Sequence, residues 1–207
     1  MVPRDGGKAK IIEMPSFGMG HVVSSWDDGD DVVVDLGYVP DFSIFDAVVN
    51  YDTSDWQAFG DGVVSRLRIN TKTFTARIET FCDLPAEFPR IHPKLECKNP
   101  KWAYFGANPR AGEGGLYKAS LKLNMHTGET DIMDFGDDKV SLEPIFIPKP
   151  DAREEDDGWV IDHVYDNKTG LTDVVILDAR CLNDGPICTI HLPINAGTSF
   201  HGTWVQR

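Results

Sequence analysis

Histidine is the side chain whose ordinary pKa lies nearest neutrality, and it is a common metal ligand. The sequence has six: His21, His92, His126, His163, His191 and His201. Their spacing excludes several chemistries. No HxxxH or HExxH pair exists, so a zinc protease helix is unsupported. There is no Gly-x-Ser-x-Gly elbow for acyl transfer, and no Walker loop or strand-borne GxGxxG for phosphate. Cys82, Cys97, Cys181 and Cys188 form no CxxC pair, and their spacing does not resemble a zinc ribbon. They are expected to be reduced, mostly buried thiols. His126 falls in a turn and His163 on a strand, where structural roles are expected. His92, in Arg90-Ile91-His92-Pro93, is expected to be similar, and His191, between Ile190 and Leu192, to face solvent. His21, in Gly18-Met19-Gly20-His21-Val22-Val23, and His201, in Phe200-His201-Gly202-Thr203-Trp204-Val205, stand apart. Isolated histidines far apart in sequence can build a metal site in a β fold. Spacing alone leaves that reading open beside the commoner one, ordinary packing.

The elements that must position such residues read as short strands. Residues 32–34 follow the acidic turn 27–31. Residues 67–69 lead through Asn70-Thr71-Lys72-Thr73 into 74–78. Residues 117–125 alternate, turn at His126-Thr127-Gly128 and return as 130–133. Residues 159–165 turn at Asp166-Asn167-Lys168-Thr169-Gly170 and return as 172–177; residues 187–192 are one more strand. Alternation broken by Gly, Asn and Asp at short intervals is the signature of antiparallel sheets, and a sandwich, a barrel and a propeller all fit it. The best helix candidate is 42–50, with Phe42, Phe45, Val48 and Val49 on one face. Thirteen prolines disfavour long helices.

At 207 residues the chain is long enough for one core, or for part of a larger one. It carries 33 Asp and Glu against 20 Lys and Arg, a net charge of −13. That excess argues against nucleic acid as a partner, because phosphate neutralisation needs surplus cations. No apolar run approaches the roughly 20 residues that span a bilayer, and the opening residues 1–8 carry no secretory pattern. A cytoplasmic protein is expected. The acidic clusters at 27–31, 134–138 and 154–157 adjoin glycines and are expected to be solvated turns.

The words around these residues resemble the carotenoid cleavage oxygenase family, which includes retinal pigment epithelium isomerases, apocarotenoid oxygenases and lignostilbene dioxygenases. His21-Val22-Val23-Ser24-Ser25-Trp26-Asp27-Asp28-Gly29 looks like the family strand H-x-x-N-A-[YF]-E-x-G. Glu87-Phe88-Pro89-Arg90-Ile91 matches its EFPRI motif, and Ser141 to Pro148 resembles SEPIFVP. Glu154 to Val160 matches EEDDGWV, Ile176 to Arg180 matches ILDAR, and Phe200 to Trp204 matches FHGxW. The motifs stand in family order from residue 15 to 205. The departure is Ser24-Ser25-Trp26-Asp27 where the family has Asn-Ala, an aromatic and Glu.

The resemblance implies an all-β fold, a seven-bladed propeller with a ferrous ion on its axis held by four histidines. His21 and His201 match the third and fourth. Three glutamates orient those histidines, and Glu87 and Glu143 match two of them. The activity implied is O2-dependent cleavage of a C=C bond in a carotenoid, apocarotenoid or stilbene-type substrate to two carbonyls, with no organic cofactor. An isomerohydrolase is a narrower variant. The first two histidines of the family have no equivalent here. The chain is therefore expected to be a C-terminal portion, about four blades' worth of strands, with the N-terminal half missing. Alone it is expected to bind iron weakly and turn over negligibly. Family members often dip an apolar patch into a bilayer to extract substrate, and 42–49 is the candidate for such peripheral membrane contact. The alternative function is a non-catalytic propeller fragment or pseudoenzyme that acts as a binding or regulatory partner.

Overall fold

The computed structural model describes residues 1–41, 49, 62–141, 143–197 and 201–205. The helix expected at 42–50 and the apolar patch at 42–49 lie, apart from Val49, outside the described residues. Twelve strands run in order among the described residues. They are β1 (Gly18–Asp28), β2 (Asp31–Val39), β3 (Val63–Asn70), β4 (Ala76–Arg90), β5 (Trp102–Ala107), β6 (Ala119–Asn124), β7 (Thr130–Asp134), β8 (Lys139–Ser141), β9 (Ile145–Pro148), β10 (Gly158–Asp166), β11 (Leu171–Asp178) and β12 (Pro186–His191). β1 to β7 form one sheet in sequence order. β12, β11, β10 and β8 form a second, and β9 also pairs with β10. Every pairing is antiparallel.

The fifteen-residue β4 belongs to two neighbourhoods. Its first part, from Ala76 to Pro85, pairs with β3, and Ala86 onward pairs with β5. The long sheet is thus two four-stranded sets sharing one strand, and the second sheet supplies a further set. No helix among the described residues is long and apolar enough to cross a membrane.

One turn design recurs because its residues satisfy the backbone locally. Asn70, Asn124 and Asp166 each offer a side-chain oxygen to the amides two and three residues on. Their carbonyls accept from Phe74, Gly128 and Gly170. Those three acceptor-closing residues have φ of +56°, +80° and +68°. Glycine reaches that region without a Cβ clash, whereas phenylalanine pays a steric penalty.

The core runs through both sheets. Val64, Ala103, Phe105, Leu121, Leu123 and Met125 are buried in one cluster; Tyr104, Phe146, Val160, Val175 and Leu177 in another. Polar locks join the two sheets. The Tyr104 hydroxyl donates to Ala179 O at 3.0 Å. Asp131 accepts from the amides of Leu182 and Asn183. The turn at 154–157 is not simply solvated. Glu155 accepts from the amides of Lys101 and Trp102, and Asp156 meets the buried Lys122 ammonium at 2.6 Å. Asp157 pairs with Arg180 and Lys149. Unpaired burial would penalise each of these groups, so the sheets dock where the charges match. The cysteines also differ from expectation. Cys82 is buried, Cys181 is partly covered, and Cys97 and Cys188 are exposed, because the latter three lie in turns or on the edge strand β12.

Candidate metal centre

Two bulges face one another where β1 meets β4. In β1, Met19 pairs with Tyr38 but Val22 with Leu36, so three steps answer two. The His21 amide leaves the ladder and donates to Glu87 Oε1 at 2.6 Å. In β4, Glu87 pairs with Gly106 and Arg90 with Tyr104, again three steps against two. Phe88 occupies that bulge at φ +57° and donates its amide to Glu87 Oε2. Bulges of this kind re-aim side chains beside functional sites. A non-glycine residue in this strained region needs surroundings that hold it there.

Glu87 is therefore buried yet fully engaged. Its Oε2 also meets His21 Nδ1 at 2.6 Å. This carboxylate holds the His21 imidazole above its ordinary pKa, against burial, which pulls it down. Room for the carboxylate comes from missing side chains: a Cβ on Gly20 of β1 or Gly37 of β2 would overlap Glu87 Oε1.

The second histidine arrives differently. His201 lies in the described stretch 201–205, which forms no strand. Glu143, between β8 and β9 and buried, faces His201 Nδ1 at 3.3–3.4 Å and accepts from the Gly202 amide at 3.2 Å. Arg90 Nη2 donates to Glu143 Oε1 and, at 2.7 Å, to Gly202 O.

The two imidazole rings stand 5.1 Å apart at 77°. The Phe88 ring lies 5.3 Å from His21 and 6.3 Å from His201, and Tyr117 packs edge-on to it at 6.2 Å. With each Nδ1 turned to a carboxylate, each ring keeps Nε2 as its remaining nitrogen, the arrangement a neutral imidazole needs to ligate a metal. Among the described residues no group of three or more His, Cys, Asp or Glu is gathered for a metal ion. The donor set fits a share of a metal site rather than a whole one. Beside the pair, a cavity of about 470 Å³ is lined by Val22, Arg90, Ile145, Phe146, Gly202 and Trp204 among others.

The structure brings His21, His201, Glu87 and Glu143 together and leaves the other histidines elsewhere. His92 accepts from the Lys94 amide, His126 faces Asn99, and the exposed His191 pairs with Asp173. Ser24, at the departure from the family pattern, donates to Lys98 O, and Trp26 packs on the Arg66 guanidinium. Sequence reasoning assigned no role to Gly20, Gly37, Phe88 or Arg90. An isolated glycine within a β-prone run, as in Asp35-Leu36-Gly37-Tyr38, was the available signal of close backbone approach.

The family model described as retinal pigment epithelial membrane protein matches residues 1–206. The chain belongs to that family. It is 25% identical over 206 residues to apocarotenoid-15,15'-oxygenase of Synechocystis, covering 100% of this chain and 42% of that protein. Resveratrol cleavage oxygenase 1 of Botryotinia fuckeliana is 34% identical over 129 residues, covering 59% of this chain and 23% of that one. Among solved structures, cobalt-substituted Synechocystis apocarotenoid oxygenase superposes with a TM-score of 0.91 at 25% identity, covering 100% of this chain and 43% of that one. The fold is accordingly part of a β-propeller. The chain spans less than half the length of these relatives.

Proposed function

We propose that the chain contributes two histidine ligands, His21 and His201, to the ferrous centre of a non-haem oxygenase. The enzyme would cleave a C=C bond of a carotenoid, apocarotenoid or stilbene-type substrate with O2, giving two carbonyl products. The observation that carries this reading is the pair of imidazoles at 5.1 Å, each with Nδ1 turned to its own buried glutamate. The names of the relatives, an apocarotenoid oxygenase and a resveratrol cleavage oxygenase, support the substrate class. Cobalt substitution in the Synechocystis neighbour supports a divalent metal there.

Ferrous iron, when bound, supplies the redox capacity for O2 chemistry, and neutral imidazoles suit it. The residues of this chain do the rest by position. Glu87 and Glu143 accept from Nδ1 and so fix the tautomer whose Nε2 carries the lone pair. Phe88 lies against both rings and shields that flank from water. The apolar part of the neighbouring cavity, from Val22, Ile145, Phe146 and Trp204, suits a hydrocarbon substrate better than a charged one.

Two ligands hold iron less tightly than four, so the isolated chain should bind Fe(II) weakly and show negligible turnover. The test is anaerobic Fe(II) and Co(II) titration of the chain, with His21→Ala and His201→Ala alongside, followed by assay of an apocarotenoid and a hydroxystilbene under labelled O2. Weak binding abolished by either substitution is expected. Binding that neither substitution alters would overturn the assignment. No binding at all would favour the non-catalytic fragment.

A further inference from the structure

We propose that Arg90 is a positioning residue for His201, fixing the imidazole with Nδ1 toward Glu143. The proposal takes its functional meaning from the reading of His201 as a metal ligand. Its physical content concerns this chain's own residues.

His21 is carried by a strand, and its backbone amide is itself bonded to the carboxylate that reads its ring. The described residues that carry His201, 201–205, form no strand, and side-chain contacts are seen at its ring and at the next residue. The Glu143 contact alone is poor: 3.3–3.4 Å, beyond the usual range for such a bond. Arg90 completes a closed circuit. Glu143 reads the His201 ring and the Gly202 amide; Arg90 Nη2 reads Glu143 and the Gly202 carbonyl. Both backbone groups of the residue after the histidine are thereby held, and the carboxylate cannot swing away from the ring without breaking the guanidinium bond.

The geometry asks for arginine. One planar nitrogen offers two N–H bonds in fixed directions to two acceptors, which a flexible ammonium reproduces less well. Glu143 is buried, at 4% exposure, so its charge needs a cation nearby. Gly202 packs closely, since a Cβ there would lie 2.7 Å from Ile145 Cδ1 and require that side chain to shift. At Glu87 two backbone amides, of His21 and Phe88, hold the carboxylate.

The test uses the metal-free 207-residue chain with Arg90→Met and Arg90→Lys. Imidazole nitrogen NMR at about pH 8.5, some two units above the ordinary histidine pKa, reads the tautomer of each histidine. In the parent, His201 should be protonated on Nδ1. In R90M it should shift toward Nε2–H, the form that free imidazole side chains prefer, with R90K between the two and His21 unchanged in both. Co(II) affinity should fall about 10- to 100-fold in R90M, the range for losing an outer partner of a metal ligand. An unchanged His201 tautomer in R90M overturns the proposal. So does an equal shift at His21 and His201, which would make Arg90 a residue of the fold alone. If the parent binds no Co(II) but the His201 shift persists, the metal reading fails and the positioning stands.

Discussion

The two histidine–glutamate pairs do the same job by different means. His21 and Glu87 are held by backbone: two bulges free two amides, and two glycines open the space the carboxylate fills. His201 and Glu143 are held by a side chain, Arg90, and the described stretch 201–205 forms no strand. The first contact is 2.6 Å and the second 3.3–3.4 Å. A site built inside a ladder inherits its precision from the sheet. A site built from a segment outside any ladder must import its precision through charged bonds.

The comparison can be broken most forcefully at the junction between the sheets, because Glu87 belongs to one and Glu143 is flanked by strands of the other. Asp156→Ala takes the carboxylate from the Lys122 ammonium, which is 3% exposed and keeps only Arg180 O and the Trp102 ring, and should cost on the order of 3 kcal/mol in urea unfolding. Gly37→Ala strikes the backbone-built pair directly. It should cost about 1–3 kcal/mol through overpacking and release the His21 ring, seen as loss of its Nδ1–H signal, with His201 unchanged.

A smaller effect is expected from pH. Asp162 is fully buried, accepts from Ser120 and Ser141, and has its pKa raised by burial. A carboxyl with a raised folded-state pKa binds its proton more tightly in the native state. Its contribution therefore declines as pH climbs from the unfolded value of about 3.9 toward the folded one. Asp162→Asn should remove that decline, so the stability of the variant minus that of the parent rises with pH across this window in denaturant titrations. The smallest change is Phe74→Gly, in a turn remote from both pairs. It relieves a left-handed phenylalanine and should stabilise by about 1 kcal/mol while leaving both histidine signals in place.

The hairpins at Asn70, Asn124 and Asp166 were legible in the sequence because their turn chemistry is local: an Asx side chain, a threonine and, in two of three, a glycine. β4 was not. Proline donates no ladder hydrogen bond, and Pro85 sits where pairing passes from β3 to β5 while Pro89 sits in the bulge. β8 and β9, at three and four residues, were too short for a period to show. The four site residues were legible through family motifs alone, since neither glutamate has a local reason to be buried. Arg90 stood inside one of those motifs without a role, because its two acceptors lie 53 and 112 residues away.

β4 closes one four-stranded set and opens the next, so neither set can lose its edge without disturbing the other. In native-state amide exchange, the β4 amides bonded to β3 and those bonded to β5 should open in one cooperative step, at the free energy of the whole molecule. Glu87 lies where the two sets join. The residue whose carboxylate reads His21 should thus exchange its amide only with that global step, and local fraying of turns should leave it undisturbed.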